Sequence, residues 1–549
     1  MKSRFLVVVF FFSLGAAAAQ TQPGNRVISG FVTGKDSQPL AGATVTLSET
    51  AHPRPSAETT TDAQGRFNFT GLPDGRFELV AARRGYVRSA YDNHGGVSTA
   101  IVTGENLDTT GLVLSLAPLA SIFGTVTEDS GDPVPNAQVH LFRDDPMRHN
   151  AKQRANSANA DEMGNFQISP LTPGTYYLCA TGVPWYRPSR PGSDPTADQP
   201  RSPLDVAYPP GCYSDTADPA AAQPISVNAG GHIEVNLTLH AVPAIRVSFQ
   251  VPKPEPNQGI QMPQLSQDIF GTKEFVQGGP MTWGNPNDSA AGDTMTVTLS
   301  GLAPGQYEVQ FPEIGPNSPS ARFGAIQVSS SDLTVGMSMF QSAPPISGKV
   351  LMEVSGQPPE ASSISLVGDD VVPVSTTQIQ PDGTFHINST PPGDYDIRVN
   401  GSRGLLAVSQ LKINGVAKRG STLHLGSDPI ELTITATAPI ASVSGSVVRN
   451  GKPTSGVFVL FVPEDIHAGI AGWIVNQSDS DGTFVSDRVP PGRYTAVAID
   501  QGWNLDWRRP EVISPYLAHG VAITIPPGSR SAALKSPLEA QSSAAPQAQ

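Results

Sequence analysis

The side chains in this chain best equipped to recognise a ligand are aromatic. Trp185 and Tyr186 open a Pro-rich stretch that runs on to Tyr208 and Tyr213, and Trp473 lies in an Ala/Gly-rich loop, followed by Trp503, Trp507 and Tyr516. Sugar rings offer apolar C–H faces that pack on aromatic rings, and rings on rigid loops suit such a site. These residues form the candidate ligand-binding set, with a glycan as the expected ligand. The same rings would also serve as plugs closing the ends of a β-sandwich beneath long loops. Their exposure separates the two readings.

Residue types for covalent or metal chemistry are present without the spacing that chemistry needs. A zinc peptidase requires closely placed ligands such as His-Glu-x-x-His. The nearest approach is His232-Ile-Glu234, which reads as a solvated strand face. No Gly-x-Ser-x-Gly elbow or phosphate loop occurs. Asp161/Glu162 and Asp479/Asp481 offer too few oxygens for a calcium loop and read as turn chemistry. Lys349 occupies an opening strand where some adhesive sandwiches cross-link Lys to Asn, but it lacks a matching Glu motif and reads as outward-facing. No catalytic residue, metal or cofactor is expected.

Cys179 and Cys212 are the only cysteines. In an exported chain the pair reads as one disulfide pinning the Pro-rich loop; free thiols or metal ligands are the alternatives. Export itself is expected from the N-terminus. Lys2 and Arg4 precede an apolar run from Phe5 to Leu14, then small residues with Ala17 and Ala19 placed for cleavage. Residues 1–20 therefore read as a signal peptide, and the mature chain as periplasmic, cell-surface or extracellular. No later stretch is long and apolar enough to span a bilayer. A net charge of -13 without a Lys/Arg cluster argues against nucleic acid and anionic membranes. A glycan or an envelope protein is the expected partner.

The elements that must position these residues follow from the punctuation. With 53 Gly, 52 Pro and only 15% charged residues, long helices are disfavoured and short strands with tight turns remain. A pattern recurs about every hundred residues. Asp62-x-x-Gly65-x-Phe67, Asp161-x-x-Gly164-x-Phe166, Asp382-Gly383-x-Phe385 and Asp481-Gly482-x-Phe484 each precede a second turn whose Gly lies eight residues after the Phe. That turn Gly is Gly75, Gly174, Gly393 or Gly492, and Phe77, Tyr176, Tyr395 or Tyr494 follows it. A fifth copy keeps only Pro304-Gly305-Gln-Tyr307, with Val297 at the Phe position. Each complete copy opens on a strand around a glycine, Gly30, Gly124, Gly348 or Gly445. Alternating apolar residues follow, which predicts antiparallel strands with one buried face.

The run Gly-x-Val … Pro-x-x-x-Ala-x-Val-x-Leu … Asp-x-x-Gly-x-Phe … Leu-x-Pro-Gly-x-Tyr resembles the carboxypeptidase regulatory-like domain. The resemblance implies an all-β chain, a tandem array of about five antiparallel, seven-stranded, transthyretin-like β-sandwich modules grouped with carbohydrate-binding-like folds. The expected division is 26–117, 118–241 with the Pro-rich disulfide loop, a divergent 242–343, 344–438 and 439–527, then a disordered tail at 528–549. Short Pro-marked joints predict a semi-rigid rod. In the carboxypeptidases that carry it, this domain is an accessory beside a separate zinc catalytic domain, and repeats fill this chain instead. The functional expectation is a non-catalytic exported protein that binds carbohydrate. The alternatives are a structural spacer or adhesin-like interaction scaffold, or an accessory acting in trans on a secreted hydrolase or outer-membrane receptor.

Overall fold

The computed structural model describes residues 25–543, apart from 51, 145–151, 185–203, 255–258, 277–280, 285–291, 314–320, 369–372, 403, 419, 439–440 and 465–472. Residues 1–20, where the signal peptide is expected, lie outside the described residues. The chain is built from antiparallel β-sheets with a few parallel pairs. Five separate cores lie within 28–116, 120–239, 245–340, 346–436 and 441–538. We number the corresponding modules 1 to 5.

Module 1 shows the plan. One sheet orders Arg66–Leu72, Arg26–Thr33 and Leu112–Ser115; the other runs from His52–Thr60 through Thr44–Glu49 to Gly75–Ala82, with Ser89–Ala90 and Ile101–Thr103 along its outer side. The opening strand is thus central, antiparallel to the strand after the Asp turn and parallel to the closing strand. Module 4 departs in one respect. Its long strand Gly404–Ile413 pairs with Gly393–Gly401 of one layer and Ile430–Thr437 of the other, which joins both layers into one sheet.

The glycine in each opening strand has a packing reason. Its register partner is the motif phenylalanine: Gly30 with Phe67, Gly124 with Phe166, Gly348 with Phe385 and Gly445 with Phe484. A Cβ at Gly348 would lie 2.5 Å from both the Phe385 ring and the Leu432 carbonyl oxygen. Module 3 reverses the pair. Phe249 stands on its opening strand and faces Val297, the position that carries phenylalanine elsewhere. Large and small have exchanged strands, so the layer is still filled. Module 3 therefore keeps the fold while losing the motif.

Two expectations are corrected. The tail is not structureless from 528: Ser531–Ala533 and Leu538–Ser542 pair parallel to the opening strand Ala441–Arg449, and Leu538 is buried. Module 5 needs this parallel partner as module 1 needs Leu112–Ser115, and its Ser/Ala-rich composition concealed it. Only 544–549 lie outside the described residues. The chain is also not an open rod, because modules 1 and 5 touch. The joint between modules 1 and 2 is held by backbone bonds, Val87 N–H donating to Ala117 O and Leu119 N–H to Gly85 O. Stiffness does not set the direction of the bend, and here the bends bring the two ends together.

Candidate functional site

The aromatic set of module 5 forms a second core rather than a platform. Strand Phe458–Pro463 is buried on both faces. Val459 and Phe461 point into the sandwich, while Phe458, Leu460 and Val462 point the other way. On that far side pack Trp473, Trp507, and Ile513 and Tyr516 of the short helix Pro510–Leu517. Trp473, Trp507 and Tyr516 are all under a tenth exposed. Trp503 is partly buried, edge-on to Phe458 with ring centroids 4.7 Å apart. These rings therefore do not form an exposed sugar-binding face, which corrects the expectation. The physical reason was legible: Val457 to Val462 is an unbroken apolar run, the mark of a strand covered on both sides.

In module 2, Trp185 and Tyr186 lie outside the described residues. Tyr208 belongs to the sandwich core, with its hydroxyl donating to Glu128, and Tyr213 is partly buried against the same core. Neither is a free ring on a loop. The disulfide is present: Cys179 and Cys212 are register partners on adjacent strands, both buried.

That disulfide sits under the junction with module 3. Phe142, Cys179 and Cys212 pack with Ile269, and Phe270 meets Phe142 edge-on. Beside them Arg154 of module 2 pairs at 2.7 Å with the buried Glu274 of module 3, and His140 Nδ1 lies 4.0 Å from the same carboxylate. Burial, with Arg154 nearby, pushes the His140 imidazole down to about 4, so it is neutral at pH 7. Burial raises Glu274 against the pull of Arg154.

A dense polar constellation joins modules 1 and 5, and no motif in the sequence pointed to it. Gln477, wholly buried, donates its amide to Asp92 O at 2.8 Å and to Thr99 Oγ1 at 2.6 Å. His94 Nδ1 lies 3.1 Å from Gln477 Oε1, and the His94 ring stacks on Trp503. Asp479 pairs with Arg76 and accepts from Ala100 N–H at 3.2 Å. Ser480 N–H donates to Ala100 O, and Val102 N–H donates to Ser480 Oγ at 2.8 Å. Gly456 allows the approach, since a Cβ there would lie 2.6 Å from Asp92 Oδ2. The turn at 478–480 thereby lines the edge of strand Ile101–Thr103, whose backbone would otherwise face solvent. Burial raises the Asp479 carboxyl to about 6 despite its Arg76 partner.

The carboxypeptidase regulatory-like domain model matches residues 27–109 and 121–208, which fall on modules 1 and 2. The similarity to that family thus covers modules 1 and 2. No curated protein matches the chain. Among solved structures, a streptococcal ancillary pilin is 11% identical with a TM-score of 0.18, over 53% of this chain and 98% of that one. The minor pilin GBS52 of Streptococcus agalactiae is 12% identical with a TM-score of 0.20, over 39% and 97%. The Bacillus anthracis TIE protein is 9% identical with a TM-score of 0.17, over 75% and 74%.

Across the modules, the motif residues singled out for chemistry are occupied by folding. Asp62 Oδ1 accepts from the Gln64 and Arg66 amides, and Asp161 Oδ1 from those of Met163 and Asn165. Asp382 and Asp481 do the same for Thr384 and Thr483. The turn glycines that follow have positive φ, 72° at Gly65 and 75° at Gly164. His232 is spent on a 2.7 Å contact between Nδ1 and Ser121 Oγ, and Ser121 is 2% exposed, too covered to act as a nucleophile. Lys349 faces outward near Asp382. Among the described residues no group of three or more His, Cys, Asp and Glu side chains is placed to hold a metal ion.

Proposed function

We propose that this chain is a non-catalytic, exported interaction scaffold: five β-sandwich modules whose first and last members dock on each other. The docking of module 1 on module 5 carries the reading. It places Gln477, Asp479 and Thr99, three polar residues each 2% exposed or less, at a contact outside the apolar core of either module. Among the described residues, the motif acids are taken up by turns, and Tyr208, Trp473, Trp507 and Tyr516 by cores. The buried disulfide supports an oxidising compartment. Small-angle scattering of the oxidised full chain tests the reading. A closed particle, with no turnover of peptide, ester or glycoside substrates, is the expected result; an extended rod or measurable turnover overturns it.

Carbohydrate binding survives as a second reading at a different place. Phe31 and Phe123 are partly exposed beside shallow grooves of about 560 and 620 Å³ on the outer sheet faces of modules 1 and 2. Asn68 and Arg66 line the first groove, and Gln167 and Glu234 the second. An aromatic face with amide and charged neighbours suits a sugar ring. Glycan retention lost in Phe31→Ala or Phe123→Ala would support it, and no retention of the unaltered chain on a broad glycan panel would remove it.

A further inference from the structure

The surfaces that meet between modules 1 and 5 have three properties together. They are complementary but unlike, so the contact is heterologous. One side offers Arg76, the loop 92–99 and the edge of Ile101–Thr103; the other offers the turn 478–480, Gln477 and Trp503. They are joined by hydrogen bonds, an ion pair and one ring stack, with no core shared between the modules. Separating them therefore does not require either sandwich to unfold. They also lie at opposite ends of the repeat array, linked only through modules 2 to 4.

A heterologous contact can be satisfied within one chain or between two, because each copy carries both halves. Opening leaves the Ile101–Thr103 edge unpaired and returns the Gln477 amide to water, so a second copy that docks there regains the same bonds. Module 5 of another copy carries the turn 478–480 that fits this edge, and module 1 of that copy carries the Asp92, Thr99 and His94 groups that bind Gln477. We propose that the contact between modules 1 and 5 is an exchangeable clasp, through which two copies of this chain pair reciprocally, module 1 of each on module 5 of the other. Closure within one chain dominates in dilute solution, since the tethered partner is present at the higher effective concentration. The exchanged dimer forms when chains fold or open at high concentration.

Charge reversal separates the two arrangements. In Arg76→Glu, position 76 carries a carboxylate facing Asp479; in Asp479→Arg, two guanidinium groups face each other. Each variant alone should be an open monomer with a larger radius of gyration than the original chain. An equimolar mixture restores opposite charges at both contacts of a heterodimer. Light scattering should then read twice the single-chain mass, and scattering should read closed contacts. The chain carrying both changes should reclose as a monomer, which shows that the single variants fail through charge and not through misfolding. In parallel, the unaltered chain refolded at high concentration should yield a dimer fraction that grows with concentration. A mixture that stays at single-chain mass, or refolding that gives monomer alone at every concentration, overturns the proposal.

Discussion

The ring of Trp503 stacks on that of His94, with centroids 5.6 Å apart and planes 11° from parallel, although the two residues belong to the last and first modules. Trp503 also meets Phe458 edge-on, so one indole serves its own module's second core and the contact between chain ends. The two roles separate by mutation. Trp503→Ala should open the clasp and also lower module 5 stability by about 2–4 kcal/mol, as for a large ring partly lost from a core. His94→Ala should open the clasp alone. Scattering reads the opening, and urea unfolding reads the stability.

Closure should depend on pH through Asp479. Its carboxyl lies at about 6 in the docked form against an ordinary 3.8. A carboxyl whose docked pKa is raised binds its proton more tightly when docked. The closed form is therefore favoured fully below about 4, and the advantage is lost as pH rises through 6. Arg76 faces this group from module 1, with Asp92 and His94 on the adjoining loop and Asp481 on its own turn. A shift of about two units corresponds to as much as a hundredfold in the closing equilibrium, as an order of magnitude. The radius of gyration should fall between pH 7.5 and 5, and Asp479→Asn should flatten that dependence. A radius that rises on acidification contradicts it.

Gly124→Ala should destabilise module 2 by about 2–4 kcal/mol, because no relaxed position exists for the new carbon. It would lie 1.8 Å from the Val235 carbonyl oxygen, which is backbone and cannot move aside alone. Gly426→Ala is the control, since nothing lies within 4 Å of its Cβ, and it should leave the thermal midpoint unchanged.

The tyrosine after each Pro-Gly turn locks that turn. Tyr176, Tyr307, Tyr395 and Tyr494 each donate their hydroxyl to the carbonyl four residues back, the Tyr307 bond to Ala303 O being 2.6 Å. Module 1 has Phe77 there, and the equivalent carbonyl, Pro73 O, accepts from Thr103 Oγ1 at 2.8 Å instead. Tyr307→Phe should cost about 1–2 kcal/mol, the range for a buried hydrogen bond with one partner left unsatisfied. Thr103→Val should cost module 1 a similar amount. Chemical denaturation measures both; a change of zero in either would show that the carbonyl is hydrated.

Replacing both cysteines by serine should lower the stability of module 2 by about 3–4 kcal/mol in the chain-entropy model, for cysteines 33 residues apart. Because the bridge packs against Ile269, the junction with module 3 should loosen as well. Hydrogen exchange in strand Gln264–Ile269 reports that loosening, and unchanged protection there would confine the effect to module 2.

Much of this molecule is local and therefore readable from sequence. Asp62, Gly65 and Phe67 act on backbone within a few residues of themselves, so the turn is written wherever the triplet occurs, and its repetition announces the modules. Cys179 and Cys212 read as a disulfide from the expected export, with free thiols and metal ligands as alternatives, and the structure joins them. Module 3 was harder, because its Phe249 and Val297 exchange a large residue between strands about fifty positions apart. Only their pairing shows that the volume is conserved. The aromatic loops misled for a related reason: Trp507 and Tyr516 look alike in sequence whether they cover a core or face water, and the second face of Phe458–Pro463 decides which. What the sequence determined alone was the sandwich and its recurrence, since those depend on alternation and turns. The meeting of Arg76 with Asp479, and of His94 with Trp503, was decided only in three dimensions. It sums the bends of four joints, and no single residue carries the sign of that sum.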